Sequence, residues 1–174
     1  MESTSTKKIK KNIEVSESTL HWVGKKILGS HTGILNFSDG FITFEEGSLT
    51  GGKFTVDMTS INVTDLTGDL KKQLEGHLNS DDFFSTSKFT TAQLEFKNVT
   101  EKSNHLFQVE AHLTIKGQTH PVTFELKVTD DKAETEFKVN RTLYGIRYGS
   151  GSFFSNLGDN TINDHFSIKT VLKF

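Results

Sequence analysis

The chain has 174 residues, 20 of them basic and 22 acidic, with a formal net charge of -2, 15 Phe, one Pro and no Cys. This length suits one domain with a substantial core, and the charge balance offers no basic face for nucleic acid. Without Cys, disulfides, thiolate metal sites and thiol nucleophiles are excluded.

No stretch approaches the ~20 consecutive apolar residues of a spanning helix, so stable membrane insertion is not expected. The opening residues MESTSTKKIKKNIEV are polar and lack an apolar core, so they do not read as a secretory leader. The protein is then cytoplasmic, or this is a mature form whose leader Met1 replaces. Residues 1–17 read as a flexible tail and the approach to the first strand, with 2–11 disordered. Residues 18–174 read as one domain.

Strand signals recur at 20–27, 31–38, 41–45 and 53–63, punctuated by Gly, Asn and Asp. A helix follows: Asp65 is placed to cap it, and Leu66, Leu70, Leu74 and Leu78 repeat every four residues. Gly68 and Gly76 weaken it, so it needs tertiary packing. Further strands are expected at 89–99, 106–115, 119–128, 133–141 and 166–174. The segment 144–163, rich in Gly, Ser and Asn, reads as a long loop.

Alternation is cleanest in the second half. Phe107, Val109, Ala111, Leu113 and Ile115 share one face, and Val122, Phe124, Leu126 and Val128 share the next. Each strand has one dry and one wet face, as an antiparallel sheet around an interior requires. A turn at Thr129–Lys132 sets Val128 opposite Ala133, Leu126 opposite Thr135, Phe124 opposite Phe137 and Val122 opposite Val139. That register also puts His120 opposite Arg141, both facing inward.

Four segments carry a resemblance: TVDMTSI at 55–61; EGHLNSDDFF at 75–84 with KFTTA at 88–92; LTIKGQTHPVT at 113–123; and NRTLYGI at 140–146. In order and spacing, the chain from 18 to 174 resembles the YceI-like, polyisoprenoid-binding domain family of bacteria. The resemblance implies an all-β fold, an extended antiparallel eight-stranded lipocalin-like barrel with one short helix. It also implies an elongated apolar tunnel, a long isoprenoid or fatty-chain lipid as partner, and a periplasmic home.

On this reading Trp22, Phe54, Val56, Leu74, Leu94 and Phe96 line the tunnel. So do Phe107, Val109, Ala111 and Leu113 from one strand, with Phe124, Leu126 and Phe137 from the next two. A tunnel as long as ~9-residue strands would run roughly 30 Å. Each buried CH₂ of a ligand contributes about 0.8 kcal/mol, so affinity would come from length. The alternative is that these side chains fill the barrel themselves. His120 and Arg141 are head-group candidates, against a structural ion pair of Arg141 with Asp57 or Asp164.

The seven His are scattered without HxH or HxxxH spacing, so no metal site is expected. There is no Gly-x-Ser-x-Gly elbow and no phosphate loop. The expected function is noncovalent binding, with transport or storage, of an isoprenoid lipid or isoprenoid quinone, without cofactor and without catalysis. The alternatives are a stress-related structural or partner-binding barrel with a self-filled core, and an enzyme acting on a lipid. The sequence allows a homodimer without requiring one.

Overall fold

Strands that are dry on one side and wet on the other bury the dry side completely only if their sheet curls shut. The computed structural model, which describes residues 7–174, takes that solution. In chain order it contains β1 (Lys8–Asn12), β2 (Thr19–Lys26), β3 (Gly29–Glu45) and β4 (Ser48–Val63). Helix α1 (Gly68–Asn79) follows, then β5 (Thr91–Ser103), β6 (Leu106–Ile115), β7 (Gln118–Val128), β8 (Lys132–Asn140) and β9 (Ile162–Lys173). All pairings are antiparallel, and pairing of β3 with β4 closes β2–β9 into an eight-stranded barrel.

β1 lies outside that count. It pairs with the second half of β3, Lys8 opposite Glu45 and Asn12 opposite Phe41, while β2 pairs with the first half. This corrects the reading of 2–11 as a tail for residues 8–11; residues 2–6 lie outside the described residues. Lys10 and Lys11 lie over the rings of Phe41 and Phe44, at 4.3 and 5.3 Å from their centroids. The strand is held by backbone pairing and cation–π contacts, so it carries no apolar alternation.

β3 is one strand, not two. The Ser38-Asp39-Gly40 sequence that suggested a turn is an irregularity in the β3–β4 ladder, with Asp39 Oδ1 accepting the Gly40 N–H at 2.8 Å. Gly40 is required there because a Cβ would strike the Phe54 ring. A larger offset follows: the ladder passes from Ile34↔Asn62 to Asn36↔Asp57. The extra residues on β4 shift its inward phase from Phe54, Val56 and Met58 to Ile61 and Val63.

The β6–β7 ladder runs from Leu106↔Lys127 to Ile115↔Gln118, about a two-residue turn at Lys116-Gly117. The β7–β8 register is as expected at the turn but does not continue. Lys127↔Glu134 and Val128↔Ala133 pair, and beyond them the strands separate. Thr135 Oγ1 donates to the Glu125 carbonyl at 2.7 Å, and Phe124 stacks on Phe137 with centroids 4.8 Å apart and planes 14° apart. Side chains thus fill a seam where backbone pairing stops.

The two ends of the barrel differ. One, the turn end, carries the short connections Glu46-Gly47, Asn104-His105 and Thr129–Asp131. The other, the helix end, carries the Ile27-Leu28 and Lys116-Gly117 turns, α1 and the long connection between β8 and β9. Asp65 does not cap α1, whose N-cap position is Thr67. Its carboxylate accepts instead from the Thr32 N–H at 3.1 Å and meets His31 Nδ1 at 2.9 Å. Burial raises its pKa, but these hydrogen bonds outweigh burial and hold it below the usual carboxylate range.

Candidate ligand chamber

The inward phases do not fill the barrel evenly. At the helix end they enclose a chamber of about 780 Å³, within the range of ligand pockets in general. Its walls come from β2, β4, β6 and β9, among them Trp22, Met58, Ile61, Ile115 and Phe166. Toward the middle it narrows to a slot of about 70 Å³ between Phe37, Phe54, Phe96, Phe124 and Phe137. Leu20, Val56, Ala92, Leu113 and Ile168 line both spaces, so they form the waist.

Trp22 is held at the wall by its neighbours on both sides, Gly33 on β3 and Ile168 on β9. A Cβ on Gly33 would overlap the indole ring, so glycine there is what lets the ring lie flat against β3.

Two elements roof the chamber. Helix α1 contributes Leu74, His77 and Leu78, and the β8–β9 connection contributes Tyr148, Phe154 and Leu157. They meet edge to face: the His77 ring is 4.5 Å from Tyr148 and 4.8 Å from Phe83, at 84° and 86°. Asp82 Oδ2 fixes the imidazole through Nε2 at 3.1 Å. Lys25, Lys26 and His31 stand at the chamber's polar edge with Asn160 and Asn163.

Arg141 holds the second roof in shape. It is 4% exposed and sits in a short 3₁₀ turn, Arg141–Tyr144, just after β8. Its guanidinium donates to the carbonyls of Ile146, Tyr148, Ile162 and Asn163 at 2.8–3.1 Å. Four of its five N–H donors are therefore committed to backbone. Burial lowers its pKa, and the nearby Asp164 charge opposes that. Asp164 in turn accepts from Ser150 Oγ and Ser152 Oγ at 2.5 and 2.6 Å. Those hydrogen bonds, with Arg141, hold its carboxyl below the usual range.

The residues singled out from sequence fall into three places. Trp22, Leu74, Val56 and Leu113 line the chamber, the last two at its waist. Phe54, Leu94, Phe96, Phe124, Leu126 and Phe137 line the slot. Phe107, Val109 and Ala111 line neither; they lie in the packed core, Ala111 at 1% exposure. His120 lies outside both spaces, edge-on to Tyr144 at 5.1 Å. It does not oppose Arg141 on a ladder, because β7 and β8 have already separated.

Sequence reasoning did not name Met58 or Ile61, or the roof residues Tyr148, Phe154 and Leu157. Met58 continues the Phe54–Val56 alternation and was legible; Ile61 is hidden by the phase shift. The roof of the second connection has no periodicity to read.

The model of the YceI-like domain family matches residues 12–174. The chain belongs to that family. Among curated relatives, this YceI-like chain is similar to a UPF0312 protein of Shewanella denitrificans, 31% identical over 93 residues, 53% of this chain and 47% of the relative. A UPF0312 protein of Vibrio parahaemolyticus is 30% identical over 95 residues, with 53% and 47% covered. The chain spans about half the length of these curated relatives. Among solved structures, Burkholderia cenocepacia BcnA superposes with a TM-score of 0.76 at 18% identity, covering 92% of this chain and 98% of that one. A polyisoprenoid binding domain from Saccharophagus degradans gives 0.61 at 14% identity, covering 92% and 95%. At these identities the likeness establishes a shared YceI-like barrel fold.

Proposed function

We propose that this YceI-like barrel binds one long isoprenoid-type chain noncovalently and carries or stores it, with no chemical step. The observation that carries the reading is the apolar chamber of about 780 Å³ continuing through a waist into an aromatic slot. Such a space rewards chain length, since each CH₂ transferred from water contributes about 0.8 kcal/mol. The Saccharophagus neighbour is itself named for binding polyisoprenoids. Quinones with isoprenoid tails fit the same reading. An extracytoplasmic carrier role is part of it, supported by family membership.

The head group belongs at the chamber's edge. Arg141 has spent four of its five N–H donors on backbone carbonyls, and His31 is paired with Asp65, so Lys25 and Lys26 are the groups placed to meet a polar or anionic head. Mass spectrometry of an organic extract of the purified protein tests the reading. A prenyl lipid in near-stoichiometric amount is the expected result. An extract free of lipid, with no uptake of added prenyl alcohol, would return the barrel to a structural role.

A further inference from the structure

We propose that the helix end of the barrel is a docking face for an anionic lipid bilayer, seated so that the chamber opens against the membrane. Among the described residues, nine large hydrophobic side chains are exposed. Seven of them stand on helix-end elements, and the other two, Ile9 and Val15, lie on the N-terminal segment. Ile27 and Leu28 form the tip of the β2–β3 hairpin at 61% and 70% exposure. Phe153 and Phe154 project from the β8–β9 connection, and Leu70 from the first turn of α1. The connections at the turn end, Glu46-Gly47, Asn104-His105 and Thr129–Asp131, carry no large apolar residue.

These residues surround the chamber's own roof. Phe154 and Tyr148 both line the chamber and are about half exposed, at 53% and 46%. The hairpin tip is tied to the same region, its Ile27 N–H donating to the Thr161 carbonyl at 3.3 Å. A sugar, peptide or nucleotide would give aliphatic and aromatic tips on separate loops little to bind, whereas the headgroup–acyl boundary of a bilayer accepts them together.

Charge selects the kind of bilayer. Lys25 and Lys26 lead directly into the Ile27-Leu28 tip, and Lys71 and Lys72 follow Leu70. Arg147 lies over the Phe153 ring, 4.4 Å from its centroid. Asp69 and Asp159 share this end, while Asp65 and Asp82 are paired with His31 and His77, and Glu75, Asp81 and Asp164 accept from Val63 N–H, Ser85 Oγ and the Ser150 and Ser152 hydroxyls. The lysines therefore outnumber the free acids beside the apolar tips, in a chain whose net charge is negative. Basic groups flanking apolar tips complement acidic phospholipid headgroups. A chain leaving the bilayer would then enter between α1 and the β8–β9 connection without crossing water.

The purpose assigned to docking rests on the lipid-binding reading, but docking is testable on the empty protein. The test measures sedimentation with vesicles of phosphatidylglycerol mixed with phosphatidylcholine, and with pure phosphatidylcholine, at low and high salt. The wild type should partition onto the acidic vesicles and release with salt. Leu28→Asp and Phe153→Ser, at positions that do not line the chamber, should each lower partitioning by about tenfold, as expected when an apolar anchor is lost. Both variants should still bind farnesol delivered from cyclodextrin, read by quenching of Trp22. Unchanged partitioning in both variants would overturn the docking face. So would a wild-type dimer that Leu28→Asp dissociates, since the tips would then cover a second copy. Loss of farnesol binding with vesicle partitioning intact would instead fault the lipid-binding reading and leave docking standing.

Discussion

The helix end and the turn end of this barrel are built from the same alternating strands, yet one is hollow and the other solid. At the turn end, Phe107, Val109, Val128, Ala133 and Leu172 are buried against one another. Short connections hold the strands together there, and β7 and β8 pair only at that end. At the helix end two-residue turns still join β2 to β3 and β6 to β7, but the long connections after β4 and β8 spread their strands and form the roof from α1 and a clamped loop. A two-residue turn forces neighbours to touch, whereas the 21-residue connection from β8 to β9 lets them stand apart. The difference teaches that the cavity is opened here by the two long connections, not by strand composition.

The comparison breaks first on truncation. Phe124, at the slot, packs on Phe137 and lies 5.9 Å from Phe96. Phe124→Ala should cost about 3–5 kcal/mol, as for a buried aromatic. Phe84, on the chamber wall and 6.3 Å from Phe166, already borders open space, so Phe84→Ala should cost clearly less. Urea denaturation of both variants checks the ordering, and equal losses would mean the two ends are packed alike.

Next comes the clamp. Arg141→Met leaves four backbone carbonyls without their charged donor. Stability should fall by about 3 kcal/mol, within the range for removing a buried charged partner. Hydrogen exchange should quicken in 145–163 before it quickens in β6 or β7. Uniform acceleration would show that the clamp serves the whole barrel rather than its roof.

A smaller effect concerns pH. Asp164 has a folded pKa held below the usual value of ~3.9. A depressed carboxyl pKa adds stability above the unfolded value, and that stability is lost as pH falls through the folded one. Acid should therefore loosen the roof first, and Asp164→Asn should flatten the acid limb of the stability curve. An acid limb of unchanged slope would remove Asp164 from the clamp.

The smallest effect is a gain. The Tyr144 hydroxyl is buried without a hydrogen-bond partner among the described residues, and burial pushes its pKa up to about 12. An unsatisfied buried hydroxyl is costly, so Tyr144→Phe should stabilise by up to about 1 kcal/mol. A folded pKa above the usual ~10 for Tyr adds stability that is full below that value and lost as pH rises toward the folded one. The variant should thus resist alkaline unfolding better. Destabilisation would reveal a partner for the hydroxyl, such as an ordered water.

Much of the solid end was legible in the sequence, and less of the hollow one. The inward faces of β6 and β7 follow from alternation, because that signal is local. The β7–β8 turn was also legible, but not the seam above it. Separation of those strands involves the 141–161 connection that follows β8, whose shape is set by contacts distant in sequence. The charged β1 sequence KIKKN gave no strand signal, since its partner is the backbone of β3. Arg141 stood out as a charge on an inward phase, and its role as a loop clamp required knowing which carbonyls converge on it. The exposed tips Ile27 and Leu28 were readable as apolar and became informative only once their place beside the chamber was known.

The central claim is that the hollow end holds an apolar chain whose length sets its affinity. Titration of geraniol, farnesol and geranylgeraniol from cyclodextrin, followed through Trp22, the single tryptophan and a chamber-wall residue, tests it most directly. Affinity should climb along the series by about 0.8 kcal/mol for each further CH₂ equivalent buried, until chamber and slot are full. Ala92→Phe at the waist should leave geraniol binding intact and remove the gain from the longer chains. Affinity that stays flat along the series in the wild type, or a Trp22 emission that no prenyl alcohol changes, would contradict the claim.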